Sequence, residues 1–267
     1  MLRSPAKLLQ LFVTLVTCAF LFVPTLQSVL AGVTANYFRG LSSGLTLKWI
    51  TEVWELYADS IFLSVWLALA CLAVTLVIGV PAAYGLARNP GRVSRILEEF
   101  ISLPLAIPGL ALALALLQLY GSFKGFRASP AFILTGHVLY TLPFMVRSVL
   151  SVLMAMDLKT LEEGAATLGA GPVRRFIDIV VPNAMPGILA GALTVVTLSI
   201  GEFNLTWMLH TPLTKTLPVG LADSYASMRL EIASAYTLVF FLMIVPLLMA
   251  MQWASARASA KASKAAQ

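Results

Sequence analysis

The sequence predicts an all-α membrane protein with six transmembrane helices. Of its 267 residues, 59% are hydrophobic and only 11% are charged, and the mean hydropathy is +0.89. A soluble domain hides so large an apolar fraction only with difficulty, because about half of its surface must still face water. Lipid offers no partner to an open strand edge, so the spanning segments are expected to be helices.

Six stretches lack Asp, Glu, Lys and Arg and are long enough to cross the bilayer, which takes roughly 20 helical residues. They are residues 8–32, 60–87, 100–123, 128–146, 179–201 and 232–256. The fourth is the shortest, and we expect it to extend past Arg147 to Met156, with that arginine facing protein or water. Prolines lie within or beside these spans and are expected to bend them, since each removes a backbone donor. They are Pro24, Pro81, Pro104, Pro108, Pro143, Pro186 and Pro246.

The placement of lysine and arginine predicts that both termini are cytoplasmic. With that orientation the inner side holds Arg3, Lys7, Arg88, Arg92, Arg95, Arg147, Lys159, Arg174, Arg175, Arg257, Lys261 and Lys264. The outer side holds only Arg39, Lys48, Lys124, Arg127, Lys215 and Arg229. Basic inner loops beside anionic lipid account for the net charge of +6, so no nucleic-acid partner is implied.

The chain divides into three predicted segments. Residues 1–58 comprise the first membrane helix and an external amphipathic stretch whose aromatic residues suit the membrane interface. A docking role for an external binding protein is the alternative for that stretch. The first apolar run is too long for a signal peptide and lacks a clear cleavage site, so we expect it to remain as an anchor. Residues 59–253 form a five-helix unit, and residues 254–267 are expected to be a flexible basic tail.

Neither cysteine suggests a disulfide or a metal site. Cys18 and Cys71 lie inside the first and second predicted spans, without a Cys or His neighbour at ligand spacing. We therefore expect both to be small packing residues.

A polar insert at residues 157–182 separates the fourth and fifth spans and predicts two short helices joined by an elbow. Thr160 and Glu163 have the spacing of a capping box, and the first helix is expected to run to Leu168. Gly169 suits the left-handed conformation that ends a helix, and Pro172 suits the first position of the next one.

The first of these short helices carries an apolar stripe. Leu161, Ala165 and Leu168 recur at helical spacing and therefore share one face. Ala165 and Ala166 are small, so another protein can approach closely.

The stretch EGAATLGAGPVRRFIDIVVP, residues 163–182, resembles the cytoplasmic loop of the membrane subunits of type I ATP-binding-cassette (ABC) importers. That loop runs E-A-A, three residues, G, nine residues, I-x-L-P. The residues that match it are Glu163, Ala165, Gly169, Ile179 and Pro182. Gly164 replaces an alanine, at a helix cost of up to about 1 kcal/mol, and Val181 replaces leucine. The segments PAAYGLAR (81–88) and LPLAIPGLALAL (103–114) are also similar to that family, so the resemblance covers residues 60–250.

The resemblance implies a permease subunit of a bacterial inner-membrane importer that has no enzymatic activity and no cofactor of its own. Its partners would be two ABC ATPase subunits inside, a second permease subunit (a copy or a relative), a solute-binding protein outside, and membrane lipid. The residues contacting the ATPase or forming the elbow would be Glu163, Gly164, Ala165, Gly169 and Pro182. Within the family, the chain is most similar to the permeases for polyamines, 2-aminoethylphosphonate, thiamine and ferric iron. Among these, the segment TKTLPVGLADSY, 214–225, favours 2-aminoethylphosphonate or polyamine permeases.

Three polar residues are candidates for the solute pathway. Glu202 and Asn204 follow the fifth apolar run, and His137 lies midway along the fourth; ionisable groups at membrane depth usually face protein or water. A cationic solute would suit Glu202, whose alternative role is that of a hydrated residue at the outer interface. For His137 the alternative is a hydrogen-bonded packing residue.

Other functional classes find less support in the sequence. No lysine follows a glycine, so there is no phosphate-binding P-loop and the ATPase must be another chain. An ATP-independent secondary transporter or channel is the alternative, but it would not require the elbowed loop. A catalytic constellation is not evident. Gly187 and Gly191 form a G-x-x-x-G that suits close helix packing, either within the subunit or between subunits.

Overall fold

The computed structural model describes residues 5–265, and these are mostly helical. The helices are α1 (Pro5–Ala31), α2 (Lys48–Arg88), α3 (Arg92–Ser102), α4 (Gly109–Tyr120), α5 (Lys124–Arg127), α6 (Pro130–Met154), α7 (Leu158–Thr167), α8 (Pro172–Arg175), α9 (Val181–Gly201), α10 (Asn204–Leu209), α11 (Leu217–Ala226) and α12 (Leu230–Ala265). A π-helical segment, Phe176–Val180, joins α8 to α9. The prediction of an all-α protein is confirmed.

Five described helices are long and apolar enough to cross a membrane, or six if one bent pair counts as a single span. The five are Ala6–Ala31, Lys48–Arg88, Pro130–Met154, Pro172–Gly201 and Leu230–Trp253. The fourth predicted span does extend past Arg147, as expected. Arg3, which we assigned to the inner side, lies outside the described residues.

The third predicted span, residues 100–123, is not one helix. The helical stretches Arg92–Leu105 and Gly109–Tyr120 meet at an angle of 100°. Pro108 stands at the break with an extended ψ of 138°, and its ring nitrogen has no hydrogen to donate. The sequence correctly indicated a proline bend here. The prediction of one continuous span over residues 100–123 is wrong, because the bend is large enough to break the helix.

Helix α2 is longer than its predicted span. It has 41 residues and hence a length of about 60 Å, roughly twice the hydrocarbon thickness. Its first residues belong to the stretch that we assigned to the external segment. Trp49 and Trp54, which belong to the aromatic residues that we expect at the membrane interface, therefore lie on the same helix as the second predicted span.

The chain separates into two compact units, of which the first comprises Met1–Ala58 and Gly220–Met243. One group of polar contacts in this unit involves Arg229, which donates to Glu52 at 2.8 Å and to the Tyr57 hydroxyl at 3.0 Å. At Gly32, the residue after α1, a β-carbon would lie 2.7 Å from the backbone nitrogen of Ala235, so only glycine permits the chain to approach α12 this closely.

The second unit comprises Asp59–Val219 and Ile244–Gln267, and its described residues include two apolar clusters. The larger one is formed mainly by α2, α6 and α9, and Val149, Val180 and Val195 are completely buried in it. The smaller one gathers residues of α2, α4, α6 and α10 around Phe132. The two polar sites described below lie next to these clusters: Tyr84 packs against the larger cluster, and Leu205 belongs to the smaller one.

Helix α12 continues to Ala265, through most of the segment that we expected to be a flexible tail. Alanine has the highest helix propensity of all residues, which explains why this Ala-rich sequence extends the helix. The last two residues, 266 and 267, lie outside the described part of the chain.

Gly187 and Gly191 pack α9 against α6 within this chain. A β-carbon at Gly187 would lie 2.5 Å from the Ser148 carbonyl oxygen, and one at Gly191 would lie 2.8 Å from the Met145 sulfur. Of the two alternatives left by the sequence, the structure therefore supports packing within the subunit.

We expect Gly187→Ala to lower the free energy of unfolding by about 1–3 kcal/mol, because the added methyl group meets backbone and the two helices must separate. Gly201→Ala is the matched control, since it lies on the same helix and a β-carbon there meets nothing within 4 Å. Denaturant unfolding of the purified protein followed by circular dichroism measures both. Equal stability of the two variants would contradict the close packing at Gly187.

Candidate functional site

The polar loop between α6 and α9 begins with a capped helix. The carboxylate of Asp157 accepts a hydrogen bond from the amide of Thr160 at 3.3 Å, so Asp157 is the N-cap of α7. The capping box that we predicted from Thr160 and Glu163 is therefore wrong. Because α7 begins at Leu158, Asp157 is the residue at the N-cap position, and its carboxylate can accept from the free amides of the first turn.

The same contact affects the titration of the cap. Hydrogen bonding from Thr160 lowers the pKa of Asp157 below its ordinary value of 3.8. The charged cap stabilises α7 at all pH values above that ordinary value, and the contribution is lost as the pH falls through the lowered pKa.

Helix α7 has an inner and an outer face. Leu158 and Glu162, four residues apart, are buried against the rest of the second unit. Leu161 and Leu168, from the predicted apolar stripe, are 42% and 89% exposed. The stripe thus exists, but its two leucines face away from the protein.

The elbow has the predicted geometry. Gly169 has a φ of +82°, which is the left-handed region. Its amide donates to the Ala166 carbonyl at 2.9 Å, and the amide of Ala170 donates to the Ala165 carbonyl at 3.0 Å. This pair of bonds is the Schellman motif that satisfies the last carbonyls of a helix.

The chain leaves the elbow through Pro172, which opens α8 as predicted. Pro182, which the family pattern assigns to the loop, lies within the continuous helix Pro172–Gly201. The π-helical segment precedes Pro182, and the amide of Val181 donates to the carbonyl of Phe176, five residues back. This wider turn accommodates a residue that cannot donate and whose ring crowds the preceding turn.

The remaining predicted loop residues are accessible. The side chain of Glu163 is 67% exposed and lies 3.8 Å from the ammonium group of Lys159. A β-carbon at Gly164 would meet nothing within 4 Å. Both residues are therefore open to a partner, and an alanine would fit at Gly164.

Glu162 was not singled out from the sequence, yet it is the buried carboxylate of the loop. The Tyr84 hydroxyl donates to its Oε1 at 2.5 Å, and Nε of Arg88 lies 3.4 Å from its Oε2. The Tyr84 ring also packs on Phe176, with ring centroids 5.2 Å apart. The signal in the sequence was the four-residue spacing of Tyr84 and Arg88, which places them on one face of α2.

The second polar site contains two of the predicted pathway residues, Glu202 and His137. Glu202 lies two positions before Asn204, the first residue of α10. Its two carboxylate oxygens accept from the amides of Leu205 and Thr206 at 2.9 and 2.8 Å. The Thr206 hydroxyl donates to the same carboxylate at 2.9 Å. Negative charge is favourable at a helix N-terminus, so this geometry makes Glu202 a cap of α10.

His137 lies fully buried beside this cap. Its Nε2 is 2.8 Å from the Thr206 hydroxyl, and its Nδ1 is 2.8 Å from the Ser199 hydroxyl. Because Thr206 gives its hydrogen to Glu202, Nε2 must donate to Thr206. A neutral ring then accepts from Ser199 at Nδ1, and every group is satisfied.

The structure brings this polar cluster close to the break in the third span. A β-carbon on Gly109, the first residue of α4, would lie 3.9 Å from Oε1 of Glu202 and 3.7 Å from the β-carbon of Asn204. Asn204 itself begins α10 and is exposed. Two helix N-termini and a carboxylate therefore meet at one point. A role of Glu202, Asn204 and His137 in the solute pathway stays a prediction.

Sequence comparison identifies the family. The model of a family described as binding-protein-dependent transport system inner membrane component matches residues 75–260. The molybdenum transport system permease protein ModB of Azotobacter vinelandii is 31% identical over 194 residues, which are 67% of this chain and 84% of that protein. The spermidine/putrescine permease protein PotB of Escherichia coli (strain K12) is 27% identical over 259 residues, covering 89% and 93%. Sulfate permease 2, chloroplastic, of Chlamydomonas reinhardtii is 30% identical over 239 residues, covering 79% and 64%.

Solved structures share the fold. A chain of the bacterial alginate ABC transporter, in complex with an alginate pentasaccharide-bound periplasmic protein, has a TM-score of 0.73 at 13% identity, with 96% of each chain covered. A chain of the inward-facing MetNI methionine ABC transporter has a TM-score of 0.62 at 17% identity, with 77% of this chain and 95% of that chain covered. The chain belongs to the family of binding-protein-dependent transport system inner membrane components, the multi-pass permease subunits of ABC importers.

Proposed function

We propose that this chain forms half of the solute pathway of an ATP-driven importer and couples to a separate ATPase through α7. A second permease subunit, a copy or a relative, completes the pathway, and an external binding protein delivers the solute. Two ATPase subunits bind at the inner face. Binding and release of ATP shift the equilibrium between inward-open and outward-open states, which gives transport its direction.

The observation that carries this proposal is the outer face of α7. Leu161 and Leu168 are exposed on a polar loop, and further exposed apolar side chains follow the elbow at Val173 and Ile177. Apolar side chains clustered on an exposed polar loop are typical of a protein interface. The exposed carboxylate of Glu163 adds a charge to the same region.

For the solute we propose a small ion, with 2-aminoethylphosphonate or a polyamine as the candidates. The relatives are described as permeases for molybdenum, sulfate and spermidine/putrescine, so anions and cations both occur among them. 2-Aminoethylphosphonate carries a charge of each sign, and polyamines are cations. Thermal-shift measurements on the partner binding protein with these compounds, molybdate and sulfate test the assignment.

Leu168→Glu is expected to reduce co-purification of the ATPase with this chain by about tenfold or more, because a charge replaces an apolar side chain at the interface. The substitution leaves the fold intact, since the side chain is 89% exposed. Quantitative pull-down from membranes in which both proteins are expressed, followed by ATP-dependent uptake into proteoliposomes, is the measurement.

Leu213→Glu is the matched control, because Leu213 is 92% exposed and lies between α10 and α11, far along the chain from the loop. It is expected to retain the ATPase. Wild-type binding of the ATPase by Leu168→Glu would reject α7 as the contact, and uptake that does not require ATP would reject an ATP-driven importer.

A further inference from the structure

The attachment of α7 to the membrane helices depends on few contacts. On its inner face, Leu158 enters the apolar cluster of α2, α6 and α9, and Glu162 meets α2. A cavity of about 420 Å³ lies beside them and is lined in part by Asp157, Lys159 and Arg175. The helix is therefore not packed solidly along this side, and it has room to shift.

The two partners of the contact between Glu162 and Arg88 differ in burial. The side chain of Glu162 is 5% exposed and that of Arg88 is 45% exposed, so the carboxylate is buried while its cationic partner reaches solvent. Burying a carboxylate is costly unless hydrogen bonds and an opposite charge compensate, and an apolar pair at such a place is usually at least as stable. Stability alone does not account for a charged contact here, whereas a fixed geometry between two helices does.

Tyr84 connects both arms of the loop to α2. Its hydroxyl binds Glu162 before the elbow, and its ring contacts Phe176 after the elbow. Arg88, four residues later on α2, has its guanidinium carbon 5.8 Å from the centre of the same ring. The cytoplasmic end of α2 thereby holds the two arms at one point.

We propose that Tyr84 and Arg88 are positioning residues that hold Glu162, so that displacement of α7 by a partner is transmitted to α2. This inference rests on the proposed function. Because Tyr84 and Arg88 lie at the end of the 41-residue helix α2, which is long and apolar enough to span the membrane, a shift at Glu162 moves a helix of the permease core. Glu163, the neighbouring carboxylate, faces outward and has no such contact with α2.

The test uses the complete transporter, with its ATPase, second permease and binding protein, reconstituted in proteoliposomes. Uptake and ATP hydrolysis are measured together to give the solute transported per ATP. Glu162→Gln is expected to keep the ATPase bound and to lower this ratio about 2- to 30-fold. Tyr84→Phe, which loses only the hydroxyl and keeps the ring on Phe176, is expected to lower it less.

A double substitution distinguishes a loss of coupling between α7 and α2 from a general loss of structure. Arg88→Gln alone is expected to lower the ratio, and Arg88→Gln combined with Glu162→Gln is expected to be no worse than Glu162→Gln alone, because both remove one contact. Glu99→Gln, which removes an exposed carboxylate from α3, is the control and retains the wild-type ratio. If the Glu162→Gln variant fails to fold, the Arg88→Gln variant decides the test, because the Arg88 side chain is half-exposed. Its ratio of solute transported per ATP is then the measurement.

An unchanged ratio in Glu162→Gln and Arg88→Gln, or additive losses in the double variant, would overturn the inference while leaving the proposed function intact. Failure of the wild-type protein to bind an ATPase and to take up solute with ATP would overturn both.

Discussion

Gly169→Val is expected to abolish most solute uptake while membrane insertion and subunit abundance remain normal. The backbone at Gly169 has a φ of +82°, and a β-branched residue in that region costs about 1–3 kcal/mol. No side chain needs to move, since a β-carbon there meets nothing within 4 Å. The cost is therefore confined to the backbone of the elbow, and the loop relaxes by changing the angle between α7 and α8.

Gly171→Val is the matched control for this prediction. Gly171 is two residues away, has nothing within 4 Å of a β-carbon, and has a φ of −67°, which any residue adopts. ATP-dependent uptake into proteoliposomes, with protein amounts measured in the membrane, compares the two variants. Wild-type uptake by Gly169→Val would reject the role of the elbow, and equal loss in both variants would show that bulk, rather than φ, matters.

The elbow was predictable because its determinants are local. A left-handed helix end followed by a first-turn proline requires only glycine and proline at the right positions, and Gly169 and Pro172 supply them. The cap was not predicted correctly because two capping residues compete within four positions. Asp157 and Thr160 both have capping side chains, and only the backbone shows which amides are free.

The identity of the buried carboxylate is not a local property. Glu162 and Glu163 are adjacent and chemically identical, and they differ only in the face of α7 on which they lie. That face depends on where α2 ends, and Tyr84 and Arg88 are far from the loop in sequence. The family pattern draws attention to Glu163, the exposed residue, and does not mark Glu162.

In the membrane spans, too, some features follow from local sequence and others depend on tertiary packing. Apolar runs without charge predicted the spanning helices because hydropathy alone decides burial in lipid. The break at Pro108 was indicated by the residue type, but its angle of 100° depends on packing of α4 against α10. The capping role of Glu202 depends in turn on the start of α10 at Asn204, which no strong sequence signal marks.

Glu202→Gln is expected to lower the free energy of unfolding by about 2 kcal/mol, since the cap loses its charge and one of its acceptor oxygens. The amides of Leu205 and Thr206 then compete for a single oxygen, and the chain of hydrogen bonds through Thr206 to His137 is weakened. Uptake is expected to fall equally for cationic and uncharged solutes, because the geometry of the cluster changes rather than its affinity for charge.

Denaturant unfolding of the purified protein and competitive uptake of a polyamine and an uncharged analogue measure the two effects. Glu99→Gln makes the same chemical change at an exposed position of α3 and is expected to leave stability unaltered. The hypothesis drawn from the sequence alone, that Glu202 meets a cationic solute, makes a different prediction: stability is retained and only polyamine uptake is lost. Because the two roles differ in both readouts, this one substitution decides whether the carboxylate at the break serves the helix or the solute.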